Sequence, residues 1–213
     1  REGHLISPGL FLESAERANL SSVIDLMVIR KAIRRITPLQ QSGPGVWVSV
    51  NLSTKTVQDK HLANQIEAVL QEYPDHHSQL RFEISEMTAL QNLGKVREIA
   101  AQVKAAGCSL ILDDFGLGST SMLYLEGLPV DMVKIHPTLI RDLADKPKTR
   151  GVVKNLTEML HSFHLEVAAK SVEDPQSLDL LRTLGIDYAQ GFAIGRPLES
   201  IEQVSEAPKV GVI

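Results

Sequence analysis

The chain has 213 residues, of which 43% are hydrophobic and 23% are charged, and its formal net charge is −4. This composition excludes a disordered chain, and the acidic balance excludes a protein that binds a nucleic acid polymer through its phosphates. No apolar run approaches the ~20 residues that span a bilayer. The single cysteine, Cys108, rules out an internal disulfide and indicates a cytoplasmic protein.

Short apolar runs recur along the chain, and each has the length of a β-strand. Most of them are almost continuously apolar, as expected for parallel strands that are covered on both faces. The runs are Val46–Leu52, Leu80–Ile84, Ser109–Leu112, Met132–Ile135, Leu165–Ala169 and Ile186–Gln190. Helical patterns separate them, so the sequence predicts a parallel α/β architecture with right-handed crossovers.

The helical patterns have apolar residues at i, i+3 and i+4. They cover residues 23–36, 62–70 and 96–103, and the first places Ile24, Met27, Val28 and Ala32 along one face. Gly107 and Gly185 are predicted to end helices, because glycine readily adopts the left-handed conformation there. Asp174 and Pro175 predict an N-cap followed by the first residue of a helix.

Polar side chains occur where each predicted strand ends. Because the carboxyl ends of parallel strands form one edge of a sheet or one mouth of a barrel, we expect these side chains to form a site. Any one of them alone could equally be a solvated loop residue or a helix cap. The series is Asn51, Glu83, Glu86, Asp113, Asp114, Lys134, His136, Lys170, Glu173 and Gln190.

The order and spacing of several short motifs resemble a known family. The motifs are Val50–Ser53, Glu83–Glu86, Asp113–Gly118, Leu128–Asp131, Lys134–Ile135, Val172–Glu173, Gln190–Phe192 and Arg196–Pro197. Together they resemble EAL-type domains, the family associated with cyclic di-GMP phosphodiesterases.

This resemblance implies a modified TIM (β/α)8-type barrel. The signature Glu-Ala-Leu strand of the family belongs upstream of Ile6–Gly9, so the first strands of the barrel are missing from this chain. We therefore expect residues 1–213 to be a single EAL-like domain, a fragment of a longer protein. By analogy with the family, a GGDEF-type or sensory domain is expected beside it.

The resemblance also implies roles for the residues at the strand ends. Asn51, Glu83, Asp113 and Asp114 match the metal-ligand positions of the family, and oxygen ligands of this kind suit Mg²⁺ or Mn²⁺. Glu86 matches the acid that anchors the loop 114–121. Lys134 matches the lysine that contacts the attacking water, and Gln190 matches a glutamine at the last strand.

Two departures from the family pattern bear on catalysis. His136 replaces an aspartate, and Lys170 replaces the glutamate implicated in activating water. An ammonium group about 5 Å from a divalent ion would repel it by ~6–7 kcal/mol at an effective dielectric constant near 20. Lys170 therefore either opposes metal binding or points to solvent, and in both cases the catalytic base is lost.

The leading hypothesis is a catalytically degenerate EAL-like domain that acts as a cyclic di-GMP receptor or regulatory module and requires no cofactor. Its expected ligand-binding residues are Asn51, Asp113, Lys134, Lys170, Glu173, Gln190, Gly191, Phe192, Arg196 and Pro197. An active phosphodiesterase that uses Mg²⁺ or Mn²⁺ and a ligand-free protein-interaction scaffold remain as alternatives. A homodimer is also left open.

Overall fold

The computed structural model describes residues 8–36, 47–73, 77–118, 122–141 and 143–197. Val46 of the first predicted strand, Ile6 and Ser7 lie outside these residues, as do positions 119–121 of the predicted loop. The helices are α1 (Pro8–Arg17), α2 (Ser21–Ile36), α3 (Thr54–Gln58), α4 (Leu62–Gln71), α5 (Glu86–Gln91), α6 (Leu93–Ala105), α7 (Pro137–Ile140), α8 (Pro147–Ser162) and α9 (Gln176–Thr183). The strands are β1 (Val48–Asn51), β2 (Leu80–Ser85), β3 (Ser109–Phe115), β4 (Met132–Ile135), β5 (Glu166–Ala169) and β6 (Tyr188–Ala189).

The six strands form one parallel sheet, and their spatial order is their order in the chain. The predicted parallel α/β architecture is therefore confirmed. Every strand runs in the same direction, so all the carboxyl ends meet at one edge. Among the described residues no helix is long and apolar enough to cross a membrane.

The sheet curls into a half-barrel, as contacts between its first and last strands show. The rings of Trp47, just before β1, and Tyr188 of β6 meet edge to face, with their centroids 6.2 Å apart. The Arg81 guanidinium lies 3.9 Å from the Trp47 ring centroid and donates to Glu166 Oε2 at 2.9 Å. Tyr188 donates to the other oxygen of Glu166 at 2.8 Å. This network joins strands that are distant in the sheet and stabilises its curvature.

The main hydrophobic core lies between the outer face of the sheet and the helices. Phe82, Val133 and Ile135 on the strands are fully buried, and each such side chain contributes roughly 1.5–3 kcal/mol by leaving water. On α2 the buried side chains include Ile29 and Ile33. The predicted apolar face of this helix was wrong in part, because Met27 is 61% exposed and Val28 is 41% exposed, whereas Ala32 packs against the core. The helix carries two apolar stripes, and packing against β1 and α4 selects the second one.

The predicted helix ends agree closely with the structure. Gly107 and Gly185 both have φ of +83° and end α6 and α9 as predicted, each directly after the C-cap residue, Ala106 or Leu184. Helix α9 begins at Gln176, one residue later than predicted, although Asp174 Oδ1 does accept a hydrogen bond from the Gln176 amide at 3.1 Å. Strand β3 continues three residues past its predicted end at Leu112, to Phe115, and β6 contains only Tyr188 and Ala189.

The loop after β6 packs tightly against the segment after β5. The Val172 amide donates to the Gln190 carbonyl at 3.0 Å, and the Ala193 amide donates to the Val172 carbonyl at 2.9 Å. Gly191 lies between these bonds with φ of +156°, and a Cβ there would overlap the backbone nitrogen and oxygen of Val172.

We expect Gly191→Ala to destabilise the protein by about 2–3 kcal/mol, because the added methyl group forces the two segments apart. This corresponds to a Tm lower by about 4–12 °C in thermal unfolding. Gly195→Ala is the matched control in the same loop, since a Cβ there meets nothing within 4 Å. Equal Tm values for the two variants would contradict the assigned contact.

Candidate functional site

The strand ends bring together a group of charged side chains, which we call the strand-end cluster: Glu83, Asp113, Asp114, Lys134 and Lys170. Glu83 lies on β2, Asp113 and Asp114 on β3, Lys134 on β4, and Lys170 directly after β5. Two ammonium groups thus face three carboxylates. The sequence predicted all of these positions, and the structure shows which charges are paired.

The first pair is fully buried. Lys134 Nζ donates to Glu83 Oε1 at 2.6 Å, and the side chains are 2% and 5% exposed. Gln190 Oε1 lies 3.5 Å from the same Nζ and provides a weaker contact. Because a buried charge without a partner is costly, each member of this pair depends on the other.

The second pairing surrounds Lys170. Its Nζ lies 2.8 Å from both carboxylate oxygens of Asp113 and 2.8 Å from Oδ1 of Asp114. An ammonium group has three N–H donors, and here three carboxylate oxygens face it. Lys170 therefore points into the cluster and not into solvent, which decides between the two alternatives that the sequence left open.

A break in the regular strand geometry places both aspartates beside Lys170. Neighbouring residues of a regular strand point to opposite faces, so Asp113 and Asp114 would not normally share a partner. The β3–β4 register shifts between Leu112 and Phe115, and Asp114 has φ of +55°. This bulge turns the Asp114 side chain toward the same ammonium group as Asp113.

Glu86 connects the start of α5 to the loop after β3. Its Oε2 accepts a hydrogen bond from the Gly116 amide at 3.1 Å, and its Oε1 accepts one from the Tyr124 hydroxyl at 2.9 Å. Burial, with Glu86 as a second cause, raises the pKa of Tyr124, so this hydroxyl remains a donor at neutral pH. The sequence analysis missed Tyr124, because nothing in its spacing connects it to Glu86.

His136 caps the short helix α7. Its Nδ1 accepts a hydrogen bond from the Thr138 amide at 3.1 Å. A carboxylate in this position could make the same bond, so the imidazole keeps the capping role and loses only the negative charge.

The remaining predicted ligand-binding residues lie at the end of β1, in the segment after β5 or on the loop after β6. Asn51 is exposed at the end of β1, opposite Glu83 in the register. Glu173 and Pro197 are exposed. Phe192 is 57% exposed, and the Arg196 guanidinium lies 4.9 Å from its ring centroid.

The donor set does not fit a divalent ion as it stands. Asn51, Glu83, Asp113 and Asp114 supply suitable oxygen atoms, but Lys134 holds Glu83 and Lys170 holds both aspartates. Within the described part of the chain, no group of three or more His, Cys, Asp or Glu side chains is arranged to bind a metal ion.

Arg81 and Glu166 form a further charged pair on the inner face of the half-barrel, which the sequence analysis missed. The spacing along β5 could have indicated this pair, because Glu166, Ala168 and Lys170 are each two residues apart and line the same face. On β2, Arg81 and Glu83 are likewise two residues apart and share one face of the strand.

We expect Lys134→Met to destabilise the protein by about 3–5 kcal/mol, because it leaves the Glu83 carboxylate buried without its counter-charge. The double variant Lys134→Met/Glu83→Gln removes both charges and is expected to be more stable than the single variant. Urea unfolding of the three proteins measures both differences. A double variant that is no more stable than Lys134→Met would contradict a buried ion pair.

Comparisons with known proteins give the family of the chain. Residues 1–197 match the EAL domain family. Cyclic di-GMP phosphodiesterase PdeB of Shewanella oneidensis is 39% identical over 196 residues, which are 92% of this chain and 23% of PdeB. Cyclic di-GMP phosphodiesterase PdeF of Escherichia coli is 30% identical over 202 residues, covering 95% of this chain and 27% of PdeF. The chain therefore spans about a quarter of the length of these relatives.

Two solved structures have the same fold. A complex of the PaMucR phosphodiesterase with c-di-GMP superposes with a TM-score of 0.86 at 30% identity, covering 95% of this chain and 82% of that one. The EAL domain of Xanthomonas citri FimX in complex with c-di-GMP gives 0.85 at 25% identity, with coverage of 93% and 79%. The half-barrel is thus part of the modified TIM barrel of these structures, and the family match extends over residues 1–197. This chain belongs to the EAL domain family.

Proposed function

We propose that this chain binds cyclic di-GMP and does not hydrolyse it, so that it acts as a receptor or regulatory module. Two structures that share its fold, the PaMucR phosphodiesterase and the Xanthomonas citri FimX EAL domain, are complexes with c-di-GMP. Their folds cover more than nine-tenths of this chain. The mouth at the carboxyl ends of the strands is the place where ligands bind in barrels of this type.

The observation that carries the absence of hydrolysis is the position of the Lys170 ammonium between Asp113 and Asp114. Burial is the largest single influence and lowers the pKa of Lys170, but the hydrogen bonds and charges of the two aspartates outweigh it and hold that pKa above its ordinary value. The amine therefore keeps its proton at neutral pH. A protonated amine has no lone pair with which to take a proton from water, so it is not a general base.

Groups suited to a guanine dinucleotide lie at the end of β1 and on the loop after β6. Asn51 is an exposed amide that can donate and accept hydrogen bonds, and Phe192 is an exposed ring on which a base could stack. Arg196 beside Phe192 supplies a positive charge for a phosphate. Glu173, Gln190, Gly191 and Pro197 complete the proposed binding surface.

The chain is proposed to work as one domain, residues 1–213, of a longer cytoplasmic protein, with a GGDEF-type or sensory domain as its neighbour. Its match to only about a quarter of each relative's length is consistent with this arrangement. Binding of cyclic di-GMP would then be passed on to the neighbouring domain or to a protein partner.

An active phosphodiesterase is the second candidate function, because PdeB and PdeF carry that activity in their names. It would need Mg²⁺ or Mn²⁺ at Asn51, Glu83, Asp113 and Asp114, and a base other than Lys170. The ion pairs that already hold three of these four side chains favour the receptor.

Calorimetric titration with cyclic di-GMP tests the proposal, with cyclic di-AMP as the control ligand. We expect cyclic di-GMP to bind with similar affinity in Mg²⁺ and in excess chelator, and cyclic di-AMP to bind at least tenfold more weakly. Chromatography of the same samples after prolonged incubation should show no linear dinucleotide above a protein-free control, since loss of a general base alone slows such reactions about 10²–10⁴-fold.

Two results would overturn the proposal in different ways. Linear dinucleotide formed in proportion to the amount of protein would make the chain an active phosphodiesterase. Absence of heat and of thermal stabilisation with cyclic di-GMP, in a sample with a cooperative unfolding transition, would favour a ligand-free scaffold.

A further inference from the structure

We infer that Lys170 is a built-in counter-cation that closes the Asp113–Asp114 carboxylate pair to divalent metal ions, and that the pair becomes a Mg²⁺ or Mn²⁺ site when the ammonium group is removed. Lys170 has this role in the protein without a bound dinucleotide.

The geometry of the carboxylates supports the first half of the inference. Three oxygen atoms, two from Asp113 and one from Asp114, converge on one point at equal distances of 2.8 Å. This is the arrangement of one bidentate and one monodentate carboxylate around a cation. A Mg²⁺ ion would need the same oxygens at about 2.0–2.1 Å, so the ion and the ammonium nitrogen cannot both occupy that point.

The charges support it as well. Asp113 and Asp114 carry two negative charges in close proximity, and the bulge at Asp114 holds them there. With Lys170 in place, an approaching divalent ion meets a pair that is half neutralised and an ammonium group that repels it. Without Lys170, two carboxylates of like charge face one another, and a divalent ion is the partner that relieves their repulsion.

Lys134 does not take over the role of Lys170. Its ammonium group is bound to Glu83 and its side chain is 2% exposed, whereas the Lys170 side chain is 22% exposed and Asp114 is 46% exposed. Ions from solvent can therefore reach the aspartate pair but not the Glu83 pair. Replacing Lys170 alone should suffice to open the site.

The experiment is a Mn²⁺ titration, followed by electron paramagnetic resonance, of the wild-type protein, Lys170→Ala and Lys154→Ala. The last is a matched control, because Lys154 is an exposed lysine of α8 whose nearest acidic partner is Glu158 at 3.9 Å. Its replacement removes the same formal charge, and its carboxylate partner Glu158 is not a member of the cluster. We expect Lys170→Ala to bind one Mn²⁺ at least tenfold more tightly than the wild type, and Lys154→Ala to match the wild type.

Two further measurements test whether the added Mn²⁺ affinity of Lys170→Ala depends on the aspartates and whether the bound ion stabilises the folded protein. Adding Asp113→Asn to Lys170→Ala should abolish the new site, and Mn²⁺ should raise the Tm of Lys170→Ala but not that of the wild type. If Lys170→Ala lacks a cooperative transition, Lys170→Gln, whose amide still donates to one carboxylate, takes its place under the same criteria. Mn²⁺ binding by the wild type that equals that of the Lys170 variant, or a gain no larger than in Lys154→Ala, would overturn the inference.

Discussion

The attraction between the Lys170 ammonium group and the two aspartates of β3 determines how the charges at the carboxyl ends of the strands are paired. It neutralises charge that the curled sheet would otherwise concentrate at its mouth, and it fixes the orientation of both carboxylates. The attraction requires the bulge at Asp114, because a regular strand would point one of the two aspartates away. The bulge at Asp114 and the charge of Lys170 together therefore produce the pairing with both aspartates.

The neighbouring Lys134–Glu83 pair has a different physical character. It is almost completely buried, and the energetic cost of removing both charges from water offsets most of the attraction between them. Such a pair adds little net stability but strongly penalises the loss of one partner. The Lys170 group is partly exposed, and its charges can exchange partners with ions and ligands from solvent. Of the two lysines, Lys170 is therefore the one whose replacement changes the chemistry of the site.

Membership in the EAL domain family does not by itself distinguish a phosphodiesterase from a receptor. A relative named as a phosphodiesterase and an EAL domain solved in complex with c-di-GMP are both similar to this chain over most of its length. The distinction depends on a few side chains at the strand ends. In this chain the Lys170 ammonium group lies between the Asp113 and Asp114 carboxylates, so a positive charge of the protein itself occupies the place between them. Asn51, Phe192 and Arg196, the groups proposed to bind a dinucleotide, do not depend on the charge of residue 170.

The sequence alone determined the parallel α/β architecture, because short apolar runs and helical spacing are local patterns that report directly on burial. It also determined that Glu83, Asp113, Lys134 and Lys170 lie at one edge, since parallel strands place all their carboxyl ends together. Which of the two apolar stripes of α2 faces the core was decided only by the tertiary structure, through packing against β1 and α4. The direction of Lys170 was decided in the same way: Asp113 is 57 positions away in sequence, and their contact requires both the curl of the sheet and the bulge at Asp114. Local patterns fix what a segment becomes, whereas pairing between distant charges depends on distances that only the folded chain sets.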